Sequence, residues 1–454
     1  MTGAILATVA GPAVYWHHTN TALTNLDVEA LAATPLSPTI LYAGTWGDGV
    51  FRSTDNGASW VTATNGITLP FNVGGALALT VRPPVAGSND LDRITLYAGD
   101  YYNGGVYRSA DGGQHWSLSL PNVGTRAIAI DPLTPTIVYV GDRDTGLYRT
   151  PDGGGTWTAT NAGLTDTHIG ALAATRSTVY AGAASSVFTS TNHGVNWTWA
   201  HTFSSTVQVL AVHPITSGVI YAGTISHGLW RSRDGGASWT AAGSGLPAGT
   251  WITSLAFDAL DPAIIYAGLW SGQVYRSTDN GETWTGLGYL GTVHALAAQP
   301  AARNVIYAGT SNNGLFRGSA LHHITLDPIS TTQYVNRPFT LTITARDALG
   351  FPLSGATSAQ LHDLARHAAR LANTLAAGYT GSARLADTAG LITPTSVNLI
   401  NGVAVQPVVF KQAITRDTIT ATLKIEGLPA ASNPFRVRWF AQIALPLVMK
   451  MMVK

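Results

Sequence analysis

The chain contains no cysteine, which excludes disulfides, thiol nucleophiles and Cys-ligated zinc or iron–sulfur centres. Charge is scarce as well. Asp, Glu, Lys and Arg make up 11% of the 454 residues, and 25 Lys+Arg against 24 Asp+Glu leave a net charge of +1. So even a balance argues against a basic face for nucleic acid and against an acidic solvating tail. Long apolar runs are missing too. The most apolar opening stretch, Gly3 to Trp16, is broken by Thr8 and Pro12 and lacks a basic start, so it reads neither as a secretion signal nor as a bilayer span. No Ser-His-Asp set, phosphate-binding Gly loop or His-Glu-x-x-His motif occurs.

What the chain does have is glycine (49) and a period. Tyr-Ala-Gly begins at Tyr42, Tyr97, Tyr180, Tyr221, Tyr266 and Tyr307, and Tyr139 opens the near-copy Tyr-Val-Gly. The seven copies are 55, 42, 41, 41, 45 and 41 residues apart. An apolar segment such as Ala127–Ile130 or Ser254–Phe257 lies upstream of each, and a strand-like Val-Phe-Arg-Ser or Val-Tyr-Arg-Ser (Val50–Ser53, Val106–Ser109, Val274–Ser277) lies downstream of several. A turn and a Trp-led strand follow. Four short strands per repeat of about 42 residues is the blade of a β-propeller.

The turn reads Ser-x-Asp-x-Gly-x-x-Trp. Its copies carry Asp55, Asp111, Asp234 and Asp279 before Trp60, Trp116, Trp239 and Trp284, and two looser copies carry Asp152 before Trp157 and Asn192 before Trp197. This resembles the Asp-box (BNR) repeat of sialidases, xyloglucanase-type glycosidases, sortilin-type receptors and photosystem II assembly-factor propellers, over roughly residues 13–320. The carboxylate can accept backbone N–H bonds across the turn, Gly permits positive φ, and Trp covers the hairpin. Asn192 keeps the acceptor and drops the charge, so these six positions are expected to be structural.

Seven sets of the first three strands meet only six turns of this kind. The segment Val14–Asn20 looks like an orphan fourth strand, and residues 13–20 are expected to complete blade seven and hide both sheet edges. The fold class that follows is all-β: a seven-bladed propeller over 1–320. Beyond it, 321–440 resembles a bacterial Ig-like (invasin-type) β-sandwich, with strands at Ile324–Leu326, Phe339–Thr344, Ser382–Asp387, Val397–Val409 and Thr418–Leu423 and a hairpin-like Asn401-Gly402. Leu361, Leu364, Leu371 and Leu375 fall at helical spacing and predict a helical insertion over 357–377. Residues 441–454 read as an apolar and cationic tail that could associate with a cell envelope.

In a propeller the second-to-third and fourth-to-first loops share one face, and the Asp turns lie on the other. Seven carboxylates fall to the first face: Asp27, Glu29, Asp48, Asp100, Asp142, Asp144 and Asp166. Asp100 and Asp142 directly follow the Tyr-x-Gly glycine in adjacent blades, with Asp48 close by. Trp46, Tyr101, Tyr102 and Trp270 occupy the same loop class, and Trp251 and Tyr289 the other. Carboxylates among aromatic rings suit sugar recognition, and Asp48, Asp100 and Asp142 are the candidate catalytic acids, because glycoside hydrolysis needs two carboxyls ~5–5.5 Å or ~6.5–9.5 Å apart. Their alternative is turn chemistry.

The sialidases that this repeat resembles use an arginine triad, whereas Arg52, Arg108, Arg149, Arg231, Arg276 and Arg317 recur once per blade and mark the repeat. Xyloglucanase-type enzymes pair two propellers across a cleft, and one is seen here. The reading is therefore an extracellular or cell-envelope binding or scaffold protein recognising a polysaccharide or a protein. The alternative is a glycoside hydrolase of xyloglucanase-like or sialidase-like type. No cofactor, metal, nucleic acid or transmembrane segment is expected.

Overall fold

A computed structural model describes residues 14–320 apart from 37–38, 69–70, 82–90 and 92–93, and beyond them a set of strands between 323 and 453. Two compact units divide the chain, with residues 16–318 forming the core of one. That unit is a ring of seven antiparallel four-stranded blades, the first two of which are joined in one eight-stranded sheet. Their inner strands are Val28–Ala33, Phe71–Val81, Thr125–Ile130, Ile169–Ala174, Val207–Val212, Ile252–Phe257 and Val293–Ala298, in blades 1 to 7. Val14–His18 is the outer strand of blade 7, beside Gly314–Ala320. The ring is thus closed by hydrogen bonds between chain segments about 300 residues apart, and Trp16 Nε1 donates to Leu287 O at 3.0 Å in blade 6.

The repeated Tyr-x-Gly explains how each blade is fitted to the next. The tyrosine ring is buried in the sheet, and in several blades its hydroxyl donates to a carbonyl in the neighbouring blade's acidic turn: Tyr42 to Gly112 O (3.0 Å), Tyr97 to Gly153 O (3.0 Å), Tyr221 to Asn280 O (2.7 Å). Tyr307 of blade 7 reaches Asn56 O of blade 1 at 2.9 Å, repeating the same link across the closure. The glycine makes room for the next inner strand. A Cβ on Gly99, Gly141, Gly223, Gly268 or Gly309 would stand 2.4–2.7 Å from Thr125, Ile169, Ile252, Val293 or Val28. Any larger residue must push two blades apart.

The acidic turns hold the opposite edge. In blade 1, Asp55 Oδ1 accepts from Ser53 Oγ (2.7 Å) and Ser59 N (2.9 Å), and Oδ2 accepts from Ser59 Oγ (2.6 Å). Asn192 keeps the Oδ1 bonds to Ser190 Oγ (2.8 Å) and Asn196 N (3.0 Å). The turn tryptophans do more than cover their own hairpins, because five indoles donate to the preceding blade. They are Trp60 to Thr19 O, Trp116 to Ala63 O, Trp197 to Thr160 O and Trp284 to Ala242 O, at 2.8–2.9 Å, and Trp157 to Ser119 Oγ at 3.0 Å. The recurring arginines belong to this network as well: Arg52 Nη1 donates to Gly112 O and Arg231 Nη1 to Asn280 O.

Beyond residue 320 the described segments are again antiparallel strands. Phe339–Arg346 lies between His323–Leu326 and Thr418–Leu423, and Gly381–Leu385 pairs with Ser396–Ile400. Ser396–Ile400 also pairs with Val403–Ala404, and the turn expected at Asn401-Gly402 lies outside the described residues. Lys450–Val453 pairs with Val437–Phe440, so part of the expected tail is a strand. The helical insertion expected over 357–377 lies outside the described residues. No helix among the described residues is long and apolar enough to cross a membrane.

Candidate functional site at the channel mouth

Six of the seven inner strands carry the same irregularity. Their register breaks between Val28/Ala30, Thr125/Ala127, Ile169/Ala171, Val207/Val209, Ile252/Ser254 and Val293/Ala295. A bulge inserts one residue and re-aims its side chain. The inserted residues are Glu29, Arg126, Gly170, Gln208, Thr253 and His294, and all six line one cavity of about 260 Å³ at the centre of the ring. Trp251 and Trp270 complete its wall.

Two aromatic groups stand on this face. Trp251, in a fourth-to-first loop, and Trp270, in a second-to-third loop, stack with centroids 4.3 Å apart and planes 12° from parallel. Trp270 is 44% exposed and meets the His294 ring edge-on at 5.4 Å. Trp46, Tyr101 and Tyr102 form the second group, with centroids 5.1–5.5 Å apart. They meet because the second strand of blade 1 continues into blade 2 through the pairs Trp46↔Asn72 and Gly47↔Phe71. Arg126 Nη2 donates to the Tyr101 hydroxyl at 2.9 Å, and Arg143, paired with Asp144 at 3.0 Å, lies over the Tyr101 ring. Tyr289 is exposed and packs over Gly272, in the turn that carries Trp270.

The carboxylates singled out from sequence divide. Asp100 and Asp142 are buried (3% and 2% exposed), and backbone N–H groups occupy both oxygens of each. Asp100 accepts from Asn72, Tyr102 and Gly104 at 2.7–2.9 Å, and Asp142 from Gly124, Asp144 and Thr145 at 2.6–2.7 Å. The same repeat position holds Thr45, Thr224 and Thr310, whose hydroxyls fasten the same loop to Gly49 O, Gly228 O and Gly314 O. This geometry is that of loop fasteners: three backbone N–H groups hold each acid, and burial withdraws both from a substrate. Asp48 is exposed on the loop beside Phe71, and Asp166 pairs with His168 at 2.8 Å.

The carboxyl that lines the channel cavity is Glu29, with Asp27 beside it. One ligand atom from each, with one from His294, fall within 4.8 Å of one another. His294 Nδ1 lies 3.1 Å from Glu29 Oε2, and Ser311 Oγ donates to Asp27 Oδ1 at 3.1 Å. Burial, then the charge of Asp27 and the hydrogen bond to it, push the Glu29 carboxyl up to about 8. Burial lowers His294 in turn, against the opposing pull of Asp27. Sequence reasoning placed Asp27 and Glu29 on the right face but overlooked Arg126, Gln208, Thr253 and His294. Their signal was the second residue of each inner strand.

No family model matches the chain. A xyloglucanase of Paenibacillus sp. is 36% identical over 109 residues, 22% of this chain and 10% of the relative. The chain thus matches about a tenth of the length of the curated relatives it resembles. Among solved structures, the GH74 xyloglucanase of Xanthomonas campestris has a TM-score of 0.53 at 18% identity, covering 73% of this chain and 59% of that one. A YCF48 propeller bound to D1 peptide has a TM-score of 0.50 at 14% identity, covering 68% of this chain and 97% of that one. The chain has the seven-bladed propeller fold, and its detectable sequence similarity is to xyloglucanases.

Proposed function

We propose that the propeller recognises a polysaccharide across the mouth of its central channel. The stacked Trp251–Trp270 pair carries this reading: a half-exposed indole beside a polar cavity offers an apolar face to sugar C–H groups and hydrogen bonds to their hydroxyls. The Trp46/Tyr101/Tyr102 group supplies a second platform, and Asp144 and Tyr289 sit at the rim. Xyloglucan is the polysaccharide to try first, because it is the one the relatives' names point to. The Ser-x-Asp-x-Gly turns are read as structural throughout, in keeping with Asp-box repeats, and the strands after residue 320 as an Ig-like spacer.

Hydrolysis is the second reading, favoured by the similarity to xyloglucanases. Against it, oxygens of Asp27 and Glu29 fall within 4.8 Å of one another and of a His294 nitrogen, a tighter cluster than the ~5–5.5 Å that retaining chemistry needs. Asp48 is the exposed acid left to serve. Affinity electrophoresis in xyloglucan, with a reducing-sugar assay in parallel, separates the readings. Retardation lost in Trp270→Ala but kept in Trp199→Ala, an exposed indole on the outer strand of blade 4, supports recognition at the mouth. Turnover abolished by Asp48→Asn would establish the enzyme, and neither retardation nor turnover on any plant polysaccharide would end both readings.

A further inference from the structure

We propose that Asp27, Glu29 and His294 form a binding site for a divalent first-row transition ion that joins the first and last blades where the ring closes. Asp27 and Glu29 enter the ring at the start of blade 1, and His294 at the start of blade 7. The two inner-strand bulges turn Glu29 and His294 toward the same point of the channel.

The separations suit an ion. Ligand atoms about 2.1 Å from such a metal stand about 3.0 Å apart at a right angle and about 3.4 Å apart at the tetrahedral angle. The 3.1 Å from His294 Nδ1 to Glu29 Oε2 lies between those values, and the Asp27 oxygen falls inside the same 4.8 Å cluster. Side chains of Glu29 and His294 are 15% and 13% exposed, on the wall of a cavity that leaves room for water to complete the coordination. Among the described residues no lysine or arginine forms an ion pair with either carboxyl. Two half-buried carboxyls that share a single imidazole need a proton or a metal to balance them.

The donor set narrows the ion. One imidazole nitrogen with two carboxylate oxygens suits Zn²⁺ or Mn²⁺, whereas Ca²⁺ wants six to eight oxygens. Its place also defines its effect. Besides the strand pairing of blade 7, the closure is held by side-chain links such as Tyr307 to Asn56 O, Trp60 to Thr19 O and Ser311 to Asp27. A metal spanning Asp27/Glu29 and His294 would add a coordination bond across that seam, so the folded ring binds it and the unfolded chain loses it. The site neither requires nor excludes a polysaccharide ligand.

The test is isothermal titration of the full chain, stripped with chelator, with Zn²⁺ and separately Mn²⁺, with Ca²⁺ as comparison. The expected result is one site per chain for Zn²⁺ or Mn²⁺, at least tenfold weaker Ca²⁺ binding, and a melting temperature that rises with the bound metal. Glu29→Gln, which keeps shape and hydrogen bonding, and His294→Ala should each weaken binding at least tenfold. Should a variant misfold, the parent chain still decides by NMR, because Zn²⁺ must shift the His294 ring signals before those of exposed histidines. Absence of stoichiometric binding, equal Ca²⁺ affinity, or unchanged affinity in the folded variants overturns the proposal.

Discussion

The two faces of the ring use carboxylates in opposite ways. On the turn face, Asp152 and Asp234 stand in water, and hydrogen bonds from Thr156, Thr150 and Ser238 hold them well below the usual carboxylate range, Asp234 at about 2. In the channel, Glu29 is withdrawn from water beside another acid and is pushed to about 8. Nature of residue does not separate the two groups. What separates them is whether backbone N–H groups or low-dielectric walls surround the oxygens. The first arrangement stabilises the charged form and spends it on architecture; the second leaves an acid whose protonation state can respond to a ligand.

If that division is right, the largest loss of stability comes from the turn face. Trp60 is 1% exposed and its indole links blade 1 to Thr19 O at the closure. Trp60→Ala should cost ~3–5 kcal/mol in urea unfolding, the usual range for a buried tryptophan. A loss under 1 kcal/mol would mean that the turn tryptophans are not what locks neighbouring blades.

Asp142 tests the border between the faces, because it sits on the channel side yet is built like a turn residue. Asp142→Asn replaces one accepting oxygen with an NH₂ group that faces backbone N–H donors. The expected cost is ~1–3 kcal/mol of stability, the range for buried groups left unsatisfied, with polysaccharide binding retained in the folded fraction. A variant as stable as the parent but inactive in a hydrolysis assay would return Asp142 to the catalytic role considered from sequence.

Trp270→Ala is the converse experiment. Stability should fall by less than ~1 kcal/mol, since the ring is 44% exposed, while affinity for a bound polysaccharide should drop about tenfold, or ~1.4 kcal/mol. Equal losses of stability and affinity would erase the contrast between the faces.

Legibility followed the same border. The architecture was readable because most blades repeat one physical solution: Tyr reaches the next turn, Gly clears the next strand, and Trp clamps the previous blade. Asp100 and Asp142 misled because an acid after a strand-ending glycine looks the same whether it faces a substrate or fastens a loop. Setting them beside Thr45, Thr224 and Thr310 at the same repeat position would have shown the fastening role. Glu29 and His294 were harder. Two-residue alternation assigns each to a sheet face, and only the bulge turns them to the channel. Moreover, 265 residues separate them, and ring closure rather than motif spacing brings them together, so no metal signature is written in the sequence.

The smallest effect is the most direct probe of the turn face. Asp234 titrates near 2 in the folded ring and near 3.9 in an unfolded chain. A depressed folded value contributes stability that is fully present above the unfolded value and disappears as pH falls through the folded one. The melting temperature of the parent should therefore decline between pH 4 and pH 2 more steeply than that of Asp234→Asn, whose amide does not titrate. The gap between the two proteins should be widest near pH 5 and should close toward pH 2. A gap that stays constant across this range would mean that the neutral acid accepts the hydrogen bonds from Ser232 and Ser238 as well as the carboxylate does. In that case the turn needs only an acceptor, as Asn192 already suggests in blade 4, where the same Oδ1 bonds are made without any charge.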